Sequence, residues 1–187
     1  MRRSPTLLIV ALAACADSTT GPRDLPNLAR IHEAEGSHGG TPFTATLVPG
    51  TEVPVPPGGD PNPNAAGVAV VTLNSGQEEV CFEVTFSGLS APVSDAHIHR
   101  GPAGVRGPVI IPFAVPVAPA FPAVTSGSVA RCVPASRELI KEIRDNPEGF
   151  YVNIHTRSTP PNPATDRPGG AIRGPLSRTQ GSEVNQF

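Results

Sequence analysis

Apolar and polar residues alternate along several short segments of the chain. In EEVCFEVTFSGL, four apolar residues share one face (Val80, Phe82, Val84 and Phe86) and the residues between them share the other. A period of two is typical of a β-strand with one buried face and one face near water. FTATLV, AGVAVVTLN and AIRGPL predict further strands, and the whole pattern indicates an antiparallel sheet in a sandwich.

The segment FYVNIHT, residues 150–156, alternates in the same way. Its apolar face carries Phe150, Val152 and Ile154, and its polar face carries Tyr151, Asn153 and His155. We therefore predict a strand that presents an imidazole, an amide and a phenol on one side.

One helix is predicted, at about residues 136–145. Ser136 can cap its first turn, and Leu139, Ile140 and Ile143 form a short apolar stripe. Pro147 ends it, because the residue before a proline avoids the helical region. Since the chain holds 24 prolines and 19 glycines, a mostly helical fold is excluded.

The first residues have the pattern of an export signal. Arg2 and Arg3 precede an apolar run of residues 7–14, which is too short for a bilayer span of roughly 20 residues. The sequence LAAC resembles a bacterial lipobox, which predicts cleavage after residue 14 and lipid on Cys15. The alternative is an ordinary signal with an unmodified Cys15. Ala16 favours the outer membrane by resemblance to Gram-negative sorting patterns.

These features divide the chain into four parts. We predict a signal peptide at residues 1–14, a flexible tether at 15–40, one extracytoplasmic domain at 41–177 and a disordered tail at 178–187. Without the signal, 12 basic residues face 16 acidic ones, so we expect no nucleic-acid partner.

The chain has three cysteines. If Cys15 carries lipid, Cys81 and Cys132 remain for each other, and an exported protein permits a disulfide. The bridge would stabilise the domain by roughly 4 kcal/mol in the chain-entropy model. The alternative is a pair of buried free thiols.

The segment DAHIHRGPAGVRGPVIIPF contains a His-x-His pair, a collagen-like triplet run and an apolar strand. Three triplets are too few for a triple helix, so we interpret the glycines as turn residues. His97 and His99 point to the same side of a strand, and with His155 they could hold zinc or copper. The alternative is that each imidazole binds loop backbone. Asp95 could orient an imidazole or simply begin the strand.

Several ordered blocks together resemble the CHRD domain, a domain named from chordin and found in bacterial exported proteins. The blocks are EVP near Glu52, CFEVTFSGL, HIHRGPAG, the cysteine before the helix, YVNIHT and IRGPL, and they span roughly residues 42–177. The resemblance implies an all-β, Greek-key-like sandwich or barrel outside the cytoplasm, and it implies no established activity.

The residues indicate no catalytic constellation, such as a nucleophile elbow, paired carboxylates or a P-loop. Our first hypothesis is a non-enzymatic, membrane-anchored module that binds a protein or glycan, with Tyr151, Asn153 and Arg173 in a polar patch beside the histidines. Our second is a metal-binding protein or metal-dependent enzyme that uses His97, His99 and His155.

Overall fold

The computed structural model describes residues 40–52, 58–114 and 122–179. Within these ranges the chain forms nine strands: β1 (Thr41–Leu47), β2 (Ala66–Asn74), β3 (Glu79–Ser87), β4 (Val93–Arg100), β5 (Val109–Pro112), β6 (Gly127–Pro134), β7 (Phe150–Thr156), β8 (Arg167–Pro175) and β9 (Ser177–Arg178). One α-helix, α1 (Arg137–Asp145), and the single 3-10 turns Pro49–Thr51 and Pro147–Gly149 complete the described part. The predicted signal, Cys15, the tether up to residue 39 and residues 180–187 lie outside it.

The strands form two antiparallel sheets, which confirms the predicted all-β sandwich. The first sheet has the order β6-β3-β2-β1-β9, and the second has the order β5-β4-β7-β8. The chain passes from one sheet to the other after β3, β5, β6 and β8. A bridge between Val48 and Arg173 joins the two sheets where β1 approaches β8.

The core lies between the sheets and is built by the predicted alternation. On β3 the four apolar residues are at most 3% exposed, and on β7 Phe150, Val152 and Ile154 are at most 2% exposed. Ala96 and Ile98 of β4 are fully buried, so the residues between them must point away from the core.

The predicted helix is confirmed as α1. The Ser136 hydroxyl accepts a hydrogen bond from the Leu139 backbone N–H at 3.3 Å, as an N-cap should. Ile140 and Ile143 are fully buried against the sandwich. No helix in the described ranges has the length and apolar character needed to cross a bilayer.

The predicted disulfide is also present. Cys81 of β3 and Cys132 of β6 are directly opposite each other, and their sulfurs are bonded. Because their positions are 51 apart in the sequence, the bridge closes a large loop across the first sheet.

Two details differ from the simple strand pattern. Ser177 and Arg178 pair with β1, so the pairing extends one residue beyond the predicted domain end at 177. The polar side of β7 does not face water: Tyr151 is 4% exposed and Asn153 is 2% exposed. Loops cover this side of the second sheet, and they turn a solvent face into a lined cleft.

Candidate functional site

The second sheet brings the three predicted histidines together on its outer face. His97 and His99 are two residues apart on β4 and therefore point to the same side. On the neighbouring β7, His155 is the cross-strand partner of Asp95. The ring centroids are 5.0 Å apart for His97 and His155, 5.6 Å for His97 and His99, and 5.8 Å for His99 and His155.

One nitrogen of each ring is held by a hydrogen-bond acceptor. Nε2 of His97 lies 3.2 Å from Oδ2 of Asp95. Nδ1 of His99 lies 3.0 Å from the Gly107 carbonyl oxygen, and Nδ1 of His155 lies 3.0 Å from the Pro168 carbonyl oxygen. A carbonyl oxygen can only accept, so both Nδ1 atoms carry the proton and donate.

The other nitrogen of each ring is buried and has no hydrogen-bond partner among the described residues. These atoms are Nδ1 of His97, Nε2 of His99 and Nε2 of His155. One potential ligand atom from each histidine lies within 4.8 Å of those of the other two. Each of the three neighbouring rings therefore keeps one lone pair that no described residue uses.

Burial keeps these imidazoles uncharged. Desolvation is the main cause that lowers the pKa of His97 and of His99 below the usual value for histidine. The same effect, together with repulsion from His97, lowers the pKa of His155 to about 4. At neutral pH the rings are thus the neutral form that binds metals.

The predicted polar patch lies beside the histidines. His97 faces Asn153, and Asn153 in turn faces Arg173, so the three form one row across β4, β7 and β8. The Tyr151 ring stacks on His99 at 4.9 Å between centroids, and the Arg173 guanidinium lies 4.7 Å from the Tyr151 centroid. All three patch residues are 4% exposed or less, so they form a buried floor and not an open surface.

The glycine-rich loop at residues 101–108 closes one side of the site through Gly107. Its N–H donates to the Tyr151 hydroxyl at 3.1 Å, and its carbonyl oxygen accepts from His99. A Cβ at Gly107 would lie 1.5 Å from the Arg100 carbonyl oxygen, so only glycine fits. Gly104 in the same loop has a φ of 76°, which confirms the turn interpretation for this glycine.

Glu52 belongs to the site, although the sequence analysis assigned it no role beyond the EVP block. Its side chain is 4% exposed, and its Oε2 lies 3.7 Å from Nε of Arg173. Burial raises the pKa of Glu52 to about 7, against the opposing effect of Arg173. Glu52 reaches the site because Val48 pairs with Arg173 nearby, and no periodicity in the sequence indicates that contact.

These groups line a cleft of about 630 Å³. Besides the histidines and the patch, which includes Arg173, its lining holds the carboxylates of Glu52 and Asp95 and the arginines Arg106 and Arg157. Arg106 and Arg157 are exposed and lie at the mouth.

Comparison with known proteins identifies the domain. A search of curated proteins found no match, and a search of solved structures found none either. Residues 43–176 match the family model of the CHRD domain, and this range holds every strand from β2 to β8 and all the site residues named above. The chain belongs to the CHRD domain family.

Proposed function

We propose that this CHRD domain is a binding module whose ligand is a metal ion, zinc or copper, held by His97, His99 and His155. Family membership indicates a non-enzymatic binding or structural module, and the metal is the finer statement that we add. A protein or glycan partner stays a prediction from the sequence.

The observation that carries the proposal is a group of three histidines that each keep one buried, unpartnered nitrogen and that place one potential ligand atom each within 4.8 Å of the others. Metal-bound histidines almost always donate their other N–H to a carboxylate or a backbone carbonyl, which fixes the ring and its tautomer. All three rings here have such a partner: Asp95, Gly107 or Pro168.

The distances suit a small ion. With metal–nitrogen bonds of about 2.0–2.1 Å, two nitrogens of a tetrahedral site are about 3.4 Å apart. The nitrogens here lie within 4.8 Å of one another, so metal binding would draw the rings slightly together. Imidazole is a good ligand for both zinc and copper, and copper binds such a set more tightly.

The proposed site would leave one coordination position open. Within residues 40–52, 58–114 and 122–179, no other histidine, cysteine or carboxylate joins the three histidines. Three protein ligands with a free fourth position are typical of sites that bind water or a small molecule, whereas structural zinc sites have four protein ligands.

The metal is tested by elemental analysis of the full chain after incubation with zinc or copper and removal of free ion. We expect one equivalent per chain, and its loss in a His97→Ala/His99→Ala variant. A His32→Ala/His38→Ala variant is the matched control, since it removes two histidines of the predicted tether. Circular dichroism must show the same strand content in all three proteins. Equal metal in both variants, or none in the unaltered chain, overturns the proposal.

We propose further that the domain is a lipoprotein anchored through Cys15. The disulfide between Cys81 and Cys132 supports this proposal, because it leaves Cys15 as the only unpaired cysteine of the three. A disulfide also favours an oxidising compartment outside the cytoplasm.

The anchor is tested by mass spectrometry of the protein isolated from its host's membranes. We expect an N-terminus at Cys15 carrying acyl chains, and recovery of a Cys15→Ser variant in the soluble fraction. An unmodified N-terminus beyond residue 15 would rule the anchor out.

A further inference from the structure

We propose that the open metal position and the cleft in front of it bind an oxyanion, a carboxylate or phosphate group carried by a small molecule. This inference rests on the proposed metal site and names the chemical class of its fourth ligand. It stands on the charges and the unpartnered groups around the cleft.

The charges of the cleft favour an anion. The three histidines are neutral ligands, so they would not offset the double charge of the ion. The lining holds the three arginines Arg106, Arg157 and Arg173 against the two carboxylates Glu52 and Asp95. The cleft thus has one positive charge in excess without the ion and three with it, when both carboxylates are ionised.

Each of the two carboxylates already lies beside a basic group of the chain. Oδ2 of Asp95 is 3.2 Å from Nε2 of His97. Oε2 of Glu52 is 3.7 Å from Nε of Arg173, although Oε1 of Glu52 has no hydrogen-bond partner among the described residues. Neither carboxylate belongs to the group of atoms that converges on the candidate metal position. The fourth position is therefore open to an oxygen ligand from outside the chain.

The arginines have donors to offer such a ligand. Arg173 is 4% exposed, yet its Nη2 has no hydrogen-bond partner among the described residues. Arg106 is exposed at the mouth and makes no ion pair within the described ranges. Arg157 follows β7 and lines the same cleft.

A guanidinium presents parallel N–H groups that match two oxygens of a carboxylate or phosphate, which is why arginine binds these groups specifically. The volume of about 630 Å³ exceeds the needs of a single inorganic ion and lies in the usual range for small-molecule sites. An oxyanion group on a small organic molecule fits both the charge and the size.

The test uses the full chain loaded with cobalt(II), whose visible absorption reports its ligands. Acetate and phosphate serve as free anions, and benzoate and phenyl phosphate carry the same groups on a larger body. At constant ionic strength we expect both the carboxylates and the phosphates to change the spectrum, and the change should reach a plateau as their concentration rises. The larger probes should bind more tightly than the free ions because they fill the cleft.

An Arg106→Gln/Arg157→Gln variant should bind these anions at least about tenfold more weakly, because the loss of a single charged hydrogen bond already has an effect of about that size. Its cobalt content should stay unchanged. Arg137→Gln/Arg144→Gln is the matched control, because it removes the same charge from α1, outside the cleft lining.

The outcomes separate the two proposals. If cobalt binds but no anion changes its spectrum, or if both arginine variants bind anions equally, the oxyanion inference is wrong and the metal site stands. If free anions bind as tightly as the larger probes, the part of the inference that places the oxyanion on a small organic molecule is wrong. If cobalt itself does not bind to the histidines, the metal site fails and the inference fails with it.

Discussion

Replacing Glu52 by glutamine should change how the stability of the domain depends on pH. The Glu52 side chain is 4% exposed, and burial raises its pKa from 4.5 to about 7. The folded protein thus keeps a proton on this group over a pH range in which the unfolded chain has lost it. Unfolding then releases a proton, so the free energy of unfolding falls as the pH rises from 4.5 to about 7.

The size of the effect follows from the shift. Each pKa unit corresponds to about 1.36 kcal/mol, so the difference between 4.5 and about 7 lowers the free energy of unfolding by about 3 kcal/mol. Below pH 4.5 the contribution of Glu52 to the free energy of unfolding is fully present, and above about pH 7 it is lost. The amide of a Glu52→Gln variant does not ionise, so the variant escapes this loss.

The assay is urea unfolding followed by circular dichroism, with a chelator present and at several pH values across this range. The buried histidines change stability in the opposite direction, because the pKa of His155 is lowered to about 4 and its contribution grows with rising pH. This contribution is common to both proteins and cancels in their difference. The charged group that faces Glu52 is Arg173.

We therefore expect the stability of Glu52→Gln minus that of the unaltered protein to rise by about 3 kcal/mol between pH 4.5 and about 7. Glu148→Gln is the matched control, since its exposed side chain makes the same chemical change outside this cleft. A difference that stays flat with pH, or that falls as the pH rises, would refute the reasoning.

Two further predictions concern the loop and the disulfide. Gly107→Ala should weaken zinc binding by about 10–100-fold in a competition titration with a coloured chelator, because the new Cβ would clash with the Arg100 carbonyl and displace the acceptor of His99. Unchanged affinity would show that this acceptor does not orient the ring. A Cys81→Ala/Cys132→Ala variant should lose about 4 kcal/mol of stability in urea unfolding, because the bridge closes a loop with a sequence separation of 51 residues. A loss below about 1 kcal/mol would contradict the chain-entropy account.

The sequence predicted the strands whose alternation is clean and missed β6, whose alternation is interrupted, and β9, which has only two residues. On β3 the inward positions are all apolar, and on β7 they are apolar as far as Ile154; both strands were predicted. On β6, Arg131 stands between Val129 and Val133, at an inward position of the alternation. That charge hides the period of two, although the strand pairs with β3 along its full length.

For the site, the sequence could place side chains on a face but could not place strands beside each other. The spacing of His97 and His99 sets their common side, whereas the approach of His155 depends on β7 pairing with β4 over a long separation in the chain. Glu52 and Gly107 come from segments without regular structure, so no hydrophobic period could point to them.

The hydrogen-bond count supports the proposed metal site over a purely structural cluster. In a structural cluster both nitrogens of a buried imidazole should find partners, since an unpartnered buried group costs about 1–3 kcal/mol. Here each ring uses one nitrogen and leaves the other as an acceptor, which gives three acceptors close together. A single water molecule has only two protons to donate, so one water could satisfy only two of the three. One cation could accept all three lone pairs at once, which supports the proposed metal site, and the carbonyls of Gly107 and Pro168 would hold the rings of His99 and His155 in place for it.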